Sequence, residues 1–163
     1  MSHTLTAPTT GPLAAAPRRG VALAVLCASV FIINVDSTIV NIALPALVRQ
    51  LGASTRDLQW VVDAYNLTFA ALVLAAGSIG DRYGRKGALM AGLAVFGLAT
   101  SVGGIVDSSQ PLLVVRAGMG IGAALIFPAT LSIISNLYTG RTERAKAIGV
   151  WGCLLYTSDA ADE

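Results

Sequence analysis

Long apolar runs broken by short charged turns organise this chain. Four such runs lie at 21–48, 58–79, 88–106 and 112–137. A helix that crosses a membrane needs about 20 mostly apolar residues, at 1.5 Å of rise each across about 30 Å of hydrocarbon. Each run is near or above that length, so each predicts a span. A fifth helical stretch begins near Glu143, but from there to Tyr156 a helix covers only about 20 Å. The connections are short, which makes neighbouring helices antiparallel. The expected fold is an all-α membrane protein with four complete spans and the start of a fifth.

Composition agrees with lipid as the solvent. Charged residues make up 12% of the 163 residues, about half the usual share for a soluble domain, and the mean hydropathy is +0.70. The lipid bilayer is therefore an expected partner. A net charge of +2 and the lack of a basic aromatic surface argue against nucleic acid. Cys27 and Cys153 are far apart and have neither metal-ligand nor disulfide-framework spacing, so both read as packing residues. No metal site and no cofactor are expected.

Residues 1–19 read as a disordered tail, rich in Thr, Ala, Pro and Gly. Arg18 and Arg19 followed by an apolar run resemble a secretory signal, but the run is too long and lacks a clean small-residue cleavage site. Basic residues set the expected orientation. Arg18, Arg19, Arg82, Arg85, Lys86, Arg141, Arg144 and Lys146 fall on one side, and Arg49 and Arg56 on the other. That asymmetry places the N-terminus and the 2–3 loop in the cytoplasm of a multi-pass protein of the inner (plasma) membrane.

Spans 3 and 4 are rich in small residues, and Gly118 with Gly122 forms a GxxxG pair suited to close helix packing. Gly118-Met-Gly-Ile-Gly-Ala123 also fits a loose dinucleotide fingerprint. That motif needs a strand and a tight turn, whereas the apolar run here continues to Leu137. Helix packing is the better reading.

Three charges lie inside predicted spans: Asp36, Asp63 and Arg116. Each costs about 2.5–3.5 kcal/mol near a span centre on insertion scales, so an interior functional position is the default. Asp36 lies mid-span in Asn34-Val-Asp-Ser-Thr-Ile-Val-Asn-Ile-Ala-Leu-Pro45, and Asn41, about 140° further round the helix, joins Asp36, Asp63 and Arg116 as a candidate for the proton-coupling or substrate cavity. Two readings stay open for Asp36: a carboxylate in a water-filled cavity that gains and loses a proton, or one fixed permanently by a partner cation. Arg116 is the natural partner candidate, as a charge that stays protonated; the alternative is that it snorkels to the nearby interface. Asp63 lies close to a span end beside Trp60 and Tyr65, two aromatics expected to anchor at the interface.

The loop Gly77-Ser-Ile-Gly-Asp-Arg-Tyr-Gly-Arg-Lys-Gly-Ala-Leu89 carries a second candidate site. Gly77 and Gly80 let helices approach, and Gly84 permits a tight turn. Asp81 can accept from a helix N-terminus or pair with a base, while Arg82, Arg85 and Lys86 keep the loop on the cytoplasmic side. A carrier that rocks between two states needs contacts made in one and broken in the other. The loop reads as such a latch, or more simply as a turn that fixes topology.

These residues carry a resemblance. The loop resembles the 2–3 signature of the major facilitator superfamily, Gly-x-Leu-Ala-Asp-Arg-x-Gly-Arg-Lys. Residues 35–45 and Trp60-Val-Val-Asp-Ala-Tyr65 are similar to the span 1 and span 2 motifs of its fourteen-span drug:proton antiporter branch. Leu113-Val-Val-Arg-Ala-Gly-Met-Gly-Ile-Gly-Ala-Ala124 is similar to that branch's span 4 motif. Ile79, Gly80 and Met119 depart from the usual Leu, Ala and Gln. The resemblance implies a transporter and not an enzyme: proton-coupled multidrug efflux of lipophilic or cationic small molecules. Protons and a drug-like substrate would be partners of the full-length parent. Asp36 would match the span 1 acid, Arg116 the arginine implicated in proton coupling, and Asp81 with Arg85 the gating loop.

Residues 153–163 depart further, with three acids in place of the family's Gly- and Pro-rich fifth span. They are similar to translated sequencing-adapter sequence and are expected not to be native, leaving 20–152 as the transmembrane region. Two alternatives remain: a natural four-span assembly or interaction module without transport, and a facilitator not coupled to protons.

Overall fold

The computed structural model describes residues 16–51, 54–106 and 108–159. They form five helices: α1 (Ala16–Leu51), α2 (Thr55–Tyr83), α3 (Arg85–Gly103), α4 (Ser109–Leu137) and α5 (Arg141–Asp159). Four of them, α1 to α4, are long and apolar enough to cross a membrane. Most of the stretch expected to be a disordered tail lies outside the described residues, as does 160–163. α1 begins at Ala16, with Pro17 in its first turn, where the missing N–H costs nothing.

Local chemistry fixes the helix ends. Ser54 caps α2: its hydroxyl accepts from the Asp57 N–H at 3.2 Å, while Asp57 Oδ2 accepts from the Ser54 N–H at 3.0 Å. This reciprocal box satisfies two donors that a helix start leaves open. Between α2 and α3 stands one residue, Gly84, at φ 101°, a conformation that side chains with a Cβ rarely adopt. Its N–H donates to the Gly80 carbonyl at 3.1 Å and closes α2. The third apolar run extends to Val106, but α3 ends at Gly103, where the chain turns through Gly104 and Ile105.

The core lies along α4, which packs against α2 on one side and α3 on the other, with α1 and α5 against it and each other. Ile126, Ile134, Ala123, Ala124 and Thr130 of α4 are fully buried. The outer surfaces stay apolar: Leu74, Ile105, Ile42 and Val114 are each more than 70% exposed. Helices apolar all round suit lipid. Several hydroxyls turn back on their own helix, as when Ser29 Oγ donates to the Val25 carbonyl at 2.8 Å and Thr100 Oγ1 to that of Phe96 at 2.8 Å. In hydrocarbon, such back-bonding satisfies a donor that has no water to reach.

Candidate functional site

Arg116 lies seven residues into α4, about 10 Å along it, and is only 3% exposed. Its side chain turns into the bundle. Nη1 donates to Asp36 Oδ2 at 2.7 Å, joining α4 to α1 across 80 residues of sequence. Nε donates to the Val61 carbonyl of α2 at 3.3 Å. The Met119 sulfur, one turn on, lies 3.9 Å from Nη1, where a thioether is only a weak acceptor. The Tyr65 ring of α2 lies 4.6 Å from the guanidinium carbon, within cation–π range.

The arrangement makes electrostatic sense. A buried guanidinium cannot shed its proton, so a nearby carboxylate must balance it. Asp36 does so with its side chain 14% exposed. On its other side Asp36 borders a largely apolar cleft of about 340 Å³ between α1 and α3, lined by Phe31, Val35, Phe96 and Thr100 among others. The acid thus stands between a fixed cation and an apolar opening. Asn41 and Asp63 are both exposed and are not part of this contact set.

The α2–α3 turn forms a second cluster. Arg85 Nη2 and Nε donate to Asp81 Oδ1 at 3.0 and 3.2 Å, and Nη1 reaches the Ser132 carbonyl of α4 at 3.2 Å. A cavity of about 80 Å³ lies beneath, bordered by Gly77, Gly80, Pro128 and Ser132. Gly77 faces Pro128, with room for ordinary contact at 3.8 Å. The Arg82 guanidinium lies 5.9 Å from the Tyr83 ring, and Lys86 is exposed. Of these residues, only Asp81 and Arg85 form an ion pair.

Glycine packing is distributed differently from the spacing rule. A Cβ on Gly118 would meet Ala99 at a comfortable 3.6 Å, whereas one on Gly122 would meet the Phe96 backbone nitrogen at 2.8 Å. Gly120 is as crowded, with the Tyr65 carbonyl at 2.7 Å. Tyr65 itself corrects an expectation. It is no interface anchor but 7% exposed in the core, while Trp60 is 48% exposed. Being one turn from Val61, Tyr65 shares the helix face that meets Arg116. The carbonyls of Val61 and Ser132 have no signal in sequence at all.

Fold and site together define a polytopic helical membrane protein with a buried ion pair between spans and a charged turn at one end. Residues 26–157 match the Major Facilitator Superfamily, and the chain belongs to that family, covering the N-terminal part of its domain. Among its relatives is the puromycin resistance protein pur8 of Streptomyces alboniger, 41% identical over 85% of this chain and 27% of its own length. The multidrug efflux pump LfrA of Mycolicibacterium smegmatis is 39% identical over 82% of this chain and 27% of its own. The methylenomycin A resistance protein of Bacillus subtilis is 38% identical over 85% and 30% respectively. The chain therefore spans less than a third of the length of these relatives.

Proposed function

We propose that this chain supplies the first helices of a proton-coupled exporter of lipophilic or cationic small molecules. The observation that carries the reading is the Asp36–Arg116 pair, buried between α1 and α4 beside an apolar cleft. A carboxylate paired with a permanent cation keeps that contact until a proton or a competing cation takes the carboxylate. Protonation of Asp36 would neutralise it and release Arg116, and a lipophilic cation in the cleft would compete for the same oxygen. Two ligands that exclude each other at one acid give exchange. Relatives named for drug resistance and multidrug efflux support the substrate class.

The turn between α2 and α3 fits the role of a latch: Arg85 ties Asp81 to the Ser132 carbonyl of α4, a contact that helix rocking would break. The excess of basic residues at this end supports a cytoplasmic N-terminus, and the helical spans suit the inner membrane. No bond-making chemistry is required of any residue in this reading.

The test is drug:proton exchange by the complete carrier in inverted membrane vesicles. Asp36→Asn is expected to abolish substrate-driven proton movement while the protein still inserts. Undiminished exchange would remove Asp36 from the mechanism, and transport indifferent to the pH gradient would favour an uncoupled facilitator.

A further inference from the structure

The Arg116 guanidinium is held by more than its counter-ion. Asp36 of α1 supplies charge and the Val61 carbonyl of α2 accepts from Nε, and the guanidinium also lies over the Tyr65 ring at 4.6 Å. That ring has aromatic neighbours of its own. Tyr65 and Phe69 lie parallel within 6°, their centroids 6.4 Å apart. Phe69 meets the edge of Phe127 of α4 at 5.8 Å and 87°, and Phe127 meets Trp151 of α5 at 5.1 Å. The column ends on a hydrogen bond, with Trp151 Nε1 donating to Thr130 Oγ1 at 3.3 Å. Four rings from three helices thus form a series of neighbouring pairs that begins at the cation.

We propose that Tyr65 is a positioning residue for the Asp36–Arg116 pair, its ring held by the Phe69–Phe127–Trp151 column so that the guanidinium stays aimed at the carboxylate. The Asp36 and Val61 hydrogen bonds hold the guanidinium by its edge, and tilting of its plane is opposed only by what packs against its faces. A ring face attracts the cation through its quadrupole and blocks the tilt on that side. The effect comes from the ring, not the phenolic hydroxyl, because contact is made to the ring's face. The charged or titratable groups that meet here are Asp36 of α1, Tyr65 of α2 and Arg116 of α4; α5 contributes the uncharged Trp151 at the far end.

If the ring is lost, the cation drifts from Asp36, the anionic carboxylate loses stabilisation, and Asp36 binds its proton more tightly. The relevance to transport rests on the exporter reading, but the positioning itself does not.

The test is an infrared pH titration of the 163-residue chain in phosphatidylcholine vesicles, following the carboxylic-acid band that disappears in Asp36→Asn. Tyr65→Phe keeps the ring and is expected to titrate within about 0.3 pH unit of the unaltered chain. Tyr65→Leu is expected to raise the midpoint by about one unit, a tenfold gain in proton affinity. Trp151→Leu, which loosens the column from its far end, is expected to move it the same way by less. An unshifted Tyr65→Leu, or a Tyr65→Phe shift as large as that of Tyr65→Leu, overturns the proposal. Should Tyr65→Leu fail to insert, Trp151→Leu decides: a raised midpoint supports the column and an unchanged one overturns it. A shifted titration in a carrier that shows no proton-linked transport would sink the exporter reading alone.

Discussion

Gly92 of α3 and Gly122 of α4 meet backbone to backbone. A Cβ built on Gly92 would lie 2.9 Å from the Gly122 carbonyl oxygen, and one on Gly122 would lie 2.9 Å from that of Gly92. Two positions earlier, Gly120 presses against the Tyr65 carbonyl of α2. α4 therefore receives a neighbour on each of two faces, both through glycine. Lipid tails offer no hydrophobic drive between helices, so close contact of this kind is what binds them.

Gly122→Ala is accordingly expected to destabilise the bundle by about 1–3 kcal/mol, the usual cost of overpacking. Gly118→Ala has room at 3.6 Å and is expected to stay within about 0.5 kcal/mol. Thermal unfolding of the two variants in the same detergent measures the difference. Equal melting temperatures would mean that α3 and α4 do not approach this closely.

The α2–α3 turn separates backbone from charge. Gly84 at φ 101° makes Gly84→Ala costly by about 1–3 kcal/mol through strain alone. The Asp81–Arg85 pair is well exposed, at 66% and 37% of the two side chains, so its loss in Asp81→Asn costs at most about 1 kcal/mol. Turnover should respond in the opposite order, with Asp81→Asn slowing the complete carrier while its melting temperature barely moves. If Asp81→Asn turns over normally, the loop fixes topology and nothing more.

The helices were legible in the chain because apolar runs of membrane length leave little choice of structure. Asp36 and Arg116 were legible as a candidate pair because a charge inside such a run demands a partner. What escaped was register. Which glycines touch depends on how α4 is rotated against α2 and α3, and the spacing of Gly118 and Gly122 along one helix does not contain that rotation. Tyr65 was misread for a related reason: an aromatic near a span end fits the interface until the facing helix brings Arg116 beneath it. The partners of Arg116 and Arg85 on α2 and α4 are backbone carbonyls, which every residue carries and no sequence pattern marks.

The Ser54 capping box can be isolated from the rest of the fold, since it lies at an exposed helix start. Ser54→Ala is expected to cost about 1 kcal/mol, and Ser54→Asp to recover little, because Asp57 would face a second negative charge. Amide exchange at residues 55–58 should speed up in Ser54→Ala, with exchange in the middle of α2 unchanged. Faster exchange throughout α2 would show that the box supports the whole span.

The buried pair yields a sharper prediction, because its halves should be worth more apart than together. Asp36→Asn leaves Arg116 charged, 3% exposed and without its counter-ion, and breaking a buried pair from one side typically costs about 3–5 kcal/mol. Arg116→Gln leaves Asp36 in the mirror situation, eased by its 14% side-chain exposure. The double variant leaves two neutral amides that can hydrogen-bond to each other, and its loss should fall below that of Asp36→Asn alone. A double-mutant cycle on unfolding in mild detergent measures the coupling, expected at about 2 kcal/mol or more for a contact this short and this buried. Additive losses would mean that the two side chains do not hold each other, and proton coupling would lose the observation that carries it.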